Sequence, residues 1–387
     1  MPAPQAESTA DVVVVGGGVL GLAIAWRVAA AGSAVTVVDP APGRGASWAA
    51  AGMLAPVTEA SFGEEALLAL NLDSVRRYPT FVEDLEDLTG IPVGYRTTGT
   101  LAVAADTGDR AVLAELARFQ VGLGLATEVL TGRECRVLEP MLAPGIRGGL
   151  FVAGDHQIDN RRLSAALLAA VERAGGVLRR ERVEEVACTA GRASGVRLAG
   201  GERLDAPVVV LAAGCWSAGV AGLPPDVVPP VRPVKGQILR LRDRSGTAPF
   251  LSRAVRALVS GGHVYVVPRL DGEIVVGASV EEMGFDTRVT AGAVYELLRD
   301  ARTALPGLGE LELVESHAGL RPGSPDNAPL LGPTALPGLV LATGHFRNGI
   351  LLTPVTADVI SAYVLTGVLP EVARPFVPTR FAPAAVA

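Results

Sequence analysis

The 387-residue chain is 49% hydrophobic, carries a formal net charge of −6 at pH 7 and has a mean hydropathy of +0.37. That length implies two domains, or one domain with a large insertion, and the apolar content allows a sizeable core. The acidic balance argues against nucleic acid as the main partner, and no apolar run approaches the roughly 20 residues that span a membrane.

The first ten residues have neither a basic start nor an apolar stretch, so they read as a disordered lead-in and not as a secretory signal. Val12–Val15 is a run of four valines, the pattern of a parallel strand buried on both faces. Glycines follow at Gly16, Gly17, Gly18 and Gly21, a helix is predicted over 19–31, and Val35–Val38 is a second strand that ends at Asp39. In that context Gly16 makes the tight turn, Gly18 lets backbone approach a pyrophosphate at the helix N-terminus beside Val19, and Gly21 allows close helix packing. Asp39 is placed to accept hydrogen bonds from a ribose diol. An adenine dinucleotide is expected here, NAD or FAD; the bland alternative is a strand–helix–strand unit whose glycines only tighten turns.

Residues 64–89 repeat apolar side chains at Leu67, Leu68, Leu72, Val75, Val82 and Leu85, a helical spacing that Pro79 is placed to kink. A strand at 101–105 and a helix at 109–119 follow. Then come an amphipathic helix over 161–175 closed by Gly175 and Gly176, an alternating strand over 177–188, and a buried strand from Val208 that runs into a turn at Gly214. From 229 to 315 the texture changes: strands at 238–241, 264–267 and 274–277, a hairpin signal at 268–272 and a helix at 291–305 suggest an α+β unit. A strand over 311–320 leads back to a buried strand at Leu339–Thr343 and a last helix over 353–366, with Thr353 as N-cap and Pro354 at the first helical position. The fold class expected is α/β with α+β. Residues 11–90, 145–228 and 316–375 would form a Rossmann-like nucleotide domain, and 91–144 with 229–315 an interleaved substrate domain on a mostly antiparallel sheet. Residues 1–10 and 376–387 would be tails. Cys135, Cys188 and Cys215 form no CxxC pair, and His156, His263, His317 and His345 have no ligand spacing. Neither a disulfide framework nor a metal site is expected, and a reducing cytoplasm is the natural setting.

Five segments, in this order, carry a family resemblance: Gly45-Ala-Ser-Trp-Ala-Ala-Ala-Gly-Met-Leu54, Val234-Lys-Gly-Gln237, His263-Val-Tyr-Val-Val-Pro-Arg269, Gly319-Leu-Arg-Pro-Gly323 and Gly344-His-Phe-Arg-Asn-Gly-Ile-Leu-Leu-Thr-Pro354. Over nearly its whole length the chain resembles the FAD-dependent D-amino acid oxidase superfamily, most closely glycine oxidases of the ThiO type. The resemblance decides for FAD, held non-covalently because no cysteine lies beyond Cys215 to form the thioether of some relatives. It implies that the small, flexible 45–54 segment lies against the cofactor through Ala46, Ser47, Ala50, Ala51, Gly52 and Met53. It also brings the backbone of Val183 to the adenine, and Ala213, Gly214 and Trp216 beside the cofactor. His345, Arg347, Asn348, Gly349, Ile350 and Leu351 form the loop whose N–H groups face the flavin N1–C2=O edge.

For the substrate, the resemblance makes Arg321 the bidentate partner of a carboxylate and Tyr265 a hydroxyl donor to the same group; read alone, these are a turn arginine and a core aromatic. Arg347 would shape the substrate end, and His263, on the face of Tyr265, would line the pocket or serve as a hydrogen-bonded structural histidine. Val280 stands where relatives often carry a larger apolar residue such as methionine, which would widen substrate range. The implied reaction is oxidative deamination of glycine, with sarcosine and small D-amino acids as further substrates. O2 would be the acceptor, and the products an imine or glyoxylate, ammonia and hydrogen peroxide, supplying the thiazole of thiamine. A homotetramer is implied as well. Alternatives are a sarcosine or D-amino-acid oxidase, a flavin dehydrogenase of the same superfamily, and an FAD-binding scaffold without activity.

Overall fold

Val12–Val15 sits at the centre of a six-stranded sheet, with every one of its residues buried. The sheet order is Leu330–Pro333, Leu339–Thr343, Val208–Leu211, Val12–Val15, Val35–Val38, Val177–Arg179, all parallel except the first. Alternation places Val12 and Val14 in one core and Val13 and Val15 in another. The first core is closed by helices Val19–Ala30, Glu65–Thr89, Asn160–Arg173 and Thr353–Thr366, the second by a three-stranded sheet of Val183–Thr189, Arg192–Leu198 and Arg203–Asp205. Burial on both faces stabilises each such valine by roughly 1.5–3 kcal/mol, which is why a β-branched run suits this strand. Residues 10–244 and 249–381 are described by the structure, a computed structural model, so the expected lead-in lies, apart from Ala10, outside the described residues.

The second large sheet has eight strands, in the order Glu312–Gly323, Arg232–Arg242, Glu273–Gly277, Gly262–Pro268, Ala254–Val259, Thr100–Ala104, Gly148–Val152, Glu128–Thr131. Its neighbours pair antiparallel except Ala254–Val259 with Thr100–Ala104. One face packs on helix Ala291–Ala304 around Leu239, Val266 and Val276; on the other, Ile238, Val267 and Val275 meet Ala51 and Met53. The sheet takes in residues on both sides of the 144/145 and 315/316 boundaries expected from sequence.

Several sequence expectations need correction. The single strand over 177–188 is two strands in different sheets, Val177–Arg179 and Val183–Thr189. Between them Arg180 and Arg182 reach solvent and Arg179 forks between Glu181 and Glu202, so the chain turns where its side chains want water. The helix expected over 64–89 is Glu65–Thr89, with Pro79 inside it, and it ends at Gly90 with φ +67. The N-cap of the last helix is Leu352, and the Thr353 hydroxyl bonds back to the Gly349 carbonyl at 2.9 Å. Near the C-terminus, Phe376 is buried and Arg380 pairs with Asp326 at 2.8 Å, so this part of 376–387 is packed against the body. No single helix among the described residues is long and apolar enough to cross a membrane.

Candidate cofactor and substrate site

A cavity of about 790 Å³ runs from the glycine turn at Gly16 to the eight-stranded sheet at Tyr265 and Arg321. At its nucleotide end, Gly16 has φ +108, and a Cβ there would overlap the Ala212 carbonyl. A Cβ on Gly21 would overlap the Gly16 carbonyl; it is the one predicted contact residue that does not line the cavity, and its task is helix packing. Gly18 opens onto the cavity, and its N–H finds no acceptor among the described residues. The Asp39 carboxylate accepts from the Gly17 and Ala41 N–H groups at 2.7 Å each. Each oxygen therefore keeps further acceptor capacity, and Asp39 lines the cavity, as a ribose diol requires. Val19 and Val183 line the same end, as do Arg44 and Arg182, which sequence reasoning missed.

The 45–54 segment is pinned, not flexible. It contains a short helix, Ala46–Ala49, and its Ser47 Oγ accepts the Val19 N–H at 3.1 Å. Asn160 Nδ2 donates to the Ser47 carbonyl at 2.7 Å, and the buried Arg269 guanidinium donates to the Ala51 carbonyl at 2.7 Å and the Ile158 carbonyl at 3.0 Å. Burial lowers Arg269 to about 10. These anchors leave Ala46, Ser47, Ala50, Ala51, Gly52 and Met53 presenting backbone and small side chains to the cavity, where a flat ring can lie without clash. Ala213, Gly214 and the half-exposed Trp216 line the same cavity. Cys215 is buried, its thiol pushed up to about 12 by that burial, as suits a small filler.

The returning loop is held from behind by the long helix. Ser74 Oγ donates to the Leu351 carbonyl at 2.6 Å, and the Tyr78 hydroxyl donates to the Ile350 carbonyl. With those carbonyls turned away, the N–H groups of Gly349, Ile350 and Leu351 find no acceptor among the described residues, and all three residues line the cavity with Asn348 and His345. Burial depresses His345 to about 3, so it is neutral; its Nε2 contacts Thr356 Oγ1 at 3.0 Å and its buried Nδ1 has no partner among the described residues. A cradle of unsatisfied N–H groups at both ends, flat walls between them and an acid at the ribose position fit FAD. The glycine turn and Asp39 would hold the adenosine diphosphate, and 46–53 with 348–351 the ring system.

At the substrate end, glycines clear the sheet face. A Cβ on Gly236 would overlap the Arg321 guanidinium, one on Gly277 would lie 2.5 Å from the Tyr265 hydroxyl, and one on Gly319 would overlap Ala49. Arg321 Nη1 donates to the Ser279 carbonyl at 3.1 Å and the Lys235 carbonyl at 3.3 Å, which fixes the plane while the rest of the fork borders the cavity. Burial raises the Tyr265 hydroxyl above its ordinary value, with Arg321 pulling the other way, so Tyr265 stays a donor. The His263 side chain is solvent-exposed at the cavity rim and makes no hydrogen bond among the described residues; partial desolvation where it meets the cavity wall, with Arg256 and Arg347 nearby, lowers it. Val280, 70% exposed, lies at the mouth. Arg347 reaches Ser61 Oγ at 3.1 Å and the Glu59 carboxylate at 3.6 Å. Sequence reasoning missed Glu59 and Arg256, which form an ion pair in the cavity. Arg256 lies on a strand not foreseen, and Glu59 follows the small-residue segment with no motif of its own.

The family described as DAO, FAD dependent oxidoreductase, matches residues 11–363. A bifunctional ThiO/ThiG protein of Synechocystis sp. is 35% identical over 97% of this chain, which spans only 54% of that relative's length. A glycine oxidase of Pseudomonas putida is 36% identical, with 93% of this chain and 95% of the relative covered. The crystal structure of glycine oxidase from Geobacillus kaustophilus superposes with a TM-score of 0.88 at 34% identity, covering 96% of this chain and 99% of the other. A family match over residues 11–363, on a fold that superposes over nearly its whole length on a solved glycine oxidase, means that the chain belongs to the DAO family of FAD-dependent oxidoreductases and binds FAD non-covalently.

Proposed function

We propose that the protein oxidatively deaminates glycine, and with it sarcosine and small D-amino acids, using O2 and releasing hydrogen peroxide. The observation that carries this reading is the Arg321–Tyr265 pair, fixed on a glycine-cleared sheet face beside the 46–53 wall. Arg321 would take the substrate carboxylate through two parallel hydrogen bonds, and the protonated Tyr265 hydroxyl would donate to the same group. A substrate tethered there is oriented with its amine-bearing carbon toward the ring wall, and orientation of this kind supplies much of the acceleration. When bound, FAD supplies the two-electron acceptor for the Cα–H bond and passes the electrons to O2. Hydrolysis of the resulting imine gives glyoxylate and ammonia. The likeness to ThiO/ThiG and glycine oxidase relatives supports both the substrate and a role in supplying the imine for the thiazole of thiamine. The reading extends to a cytoplasmic homotetramer. Within each chain, 11–90, 145–228 and 316–375 would serve the cofactor and 91–144 with 229–315 the substrate. Arg321→Ala should weaken glycine binding by roughly 30-fold or more, since losing one side of a buried charged pair costs about 2–5 kcal/mol. Steady-state kinetics with glycine check this, and an unchanged KM would remove Arg321 from the site.

A further inference from the structure

One cluster in the cavity is not used by the proposed reaction. Arg256 stands directly across from Tyr265 in the paired strands, so both project on the same face of the sheet. Its Nη1 is paired with Glu59 Oε1 and lies 4.0 Å from the Met53 sulfur. The other Glu59 oxygen, Oε2, is 3.6 Å from Arg347 Nε, and Arg347 Nη2 also reaches the Glu59 carbonyl at 3.4 Å and Glu64 at 3.8 Å. A single carboxylate therefore bridges two guanidinium groups, one oxygen to each, as a bound carboxylate ligand would.

The segment that carries Glu59 is rigidly anchored. The buried Asp155 accepts from Val57 N at 3.0 Å, Thr58 N at 2.9 Å and Thr58 Oγ1 at 2.6 Å, while Gln120 Nε2 donates to the Val57 carbonyl at 2.8 Å. Burial works against the Glu59 charge, but Arg256, Arg347 and Arg321 outweigh it and hold the carboxyl below its usual range. Glu59 is thus a fixed anion. Arg321 is left as the one guanidinium of these three without a carboxylate among the described residues.

We propose that Glu59 determines specificity as an internal carboxylate filling a second anion subsite built by Arg256 and Arg347. Amines with one carboxylate, which goes to Arg321, are accepted. Amines with a second anion at the far end are rejected, because that anion meets the Glu59 carboxylate at cations that Glu59 and Glu64 together already offset. The inference rests on the Arg321–Tyr265 reading for the first carboxylate and adds the substrate class.

Glu59→Gln keeps the shape and removes the charge, leaving Arg256 and Arg347 to attract a distal anion. In the FAD-loaded full-length protein, kcat/KM for iminodiacetate relative to sarcosine should rise about 10-fold or more in this variant, since removing a like-charge contact is a strong lever on selectivity. Adding Arg256→Met should cancel that gain. A ratio unchanged in Glu59→Gln, or a gain that survives Arg256→Met, would overturn the proposal. Binding gives a second readout that needs no turnover: titrating the flavin absorbance with malonate and acetate should show malonate tightened about 10-fold more than acetate by Glu59→Gln. Equal changes for the two ligands would count against the subsite. If the native protein oxidises neither glycine nor sarcosine, the proposed reaction fails, while the two titrations still decide on the role of Glu59. Glu59→Ala, run in parallel, carries the same expectation should the glutamine variant lose FAD.

Discussion

Arg321 owes its position to a residue with no side chain. Gly236, on the neighbouring strand, leaves the volume that the guanidinium fills, and the Ser279 and Lys235 carbonyls fix its orientation. Gly236→Ala should therefore push the flexible end of Arg321 aside with little loss of stability, because the clash is with a side-chain tip. KM for glycine should rise at least about 10-fold while FAD content is kept, since misplacing a bidentate partner forfeits a charge-assisted hydrogen bond worth roughly 1.5–3 kcal/mol. Kinetics and the flavin absorbance of the same preparation check both halves. His345 gives a pH signature. Its folded value, about 3, lies below the ordinary 6.5, so its contribution to stability is present above 6.5 and is lost as pH falls toward 3. Thermal melts of His345→Gln should show a flatter decline across that window than the native protein; parallel profiles would mean that the imidazole is not buried neutral.

The elements legible in the sequence were those whose own residues dictate them. Four consecutive β-branched valines bounded by a glycine turn favour a strand buried on both faces, and the pattern over 353–366 predicts a helix with the bounds the structure gives it. The strand Ala254–Val259 is not legible in the sequence: Arg256 interrupts its apolar run, and that arginine faces a cavity whose other wall lies about 200 residues earlier in the chain, at Glu59. The same blindness covers Ser74 and Tyr78. Helical spacing placed 64–89 correctly, but their bonds to the Leu351 and Ile350 carbonyls span more than 270 residues, and no local pattern encodes them. Those bonds orient the returning loop, so Ser74→Ala should cost about 1–3 kcal/mol for the buried carbonyl left unpaired and weaken FAD retention several-fold. Denaturant midpoints and FAD dissociation constants measure the two effects; a variant with native FAD affinity would separate the helix from the loop's orientation.

At the scale of the whole molecule, the cavity exists because the chain crosses repeatedly between two sheets. The six-stranded sheet brings the glycine turn, Asp39 and the 212–214 turn to one end, and the eight-stranded sheet brings Tyr265, Arg256 and Arg321 to the other. The family-level motifs pointed to the glycine turn, the 46–53 wall, Tyr265 and Arg321, while Arg44, Arg182, Glu59 and Arg256 carry no motif of their own. Their juxtaposition is a property of the topology alone. It is also what the proposed reaction demands, because a carboxylate held at Arg321 must present its amine-bearing carbon to a ring lying along 46–53. The most direct measurement is anaerobic addition of glycine to the purified protein, followed by air. Loss of the oxidised flavin absorbance on adding glycine, then its return with one hydrogen peroxide and one glyoxylate per flavin reduced, is the predicted result. A flavin spectrum unmoved by glycine, sarcosine and D-alanine, or a colourless protein that binds NAD, would contradict it.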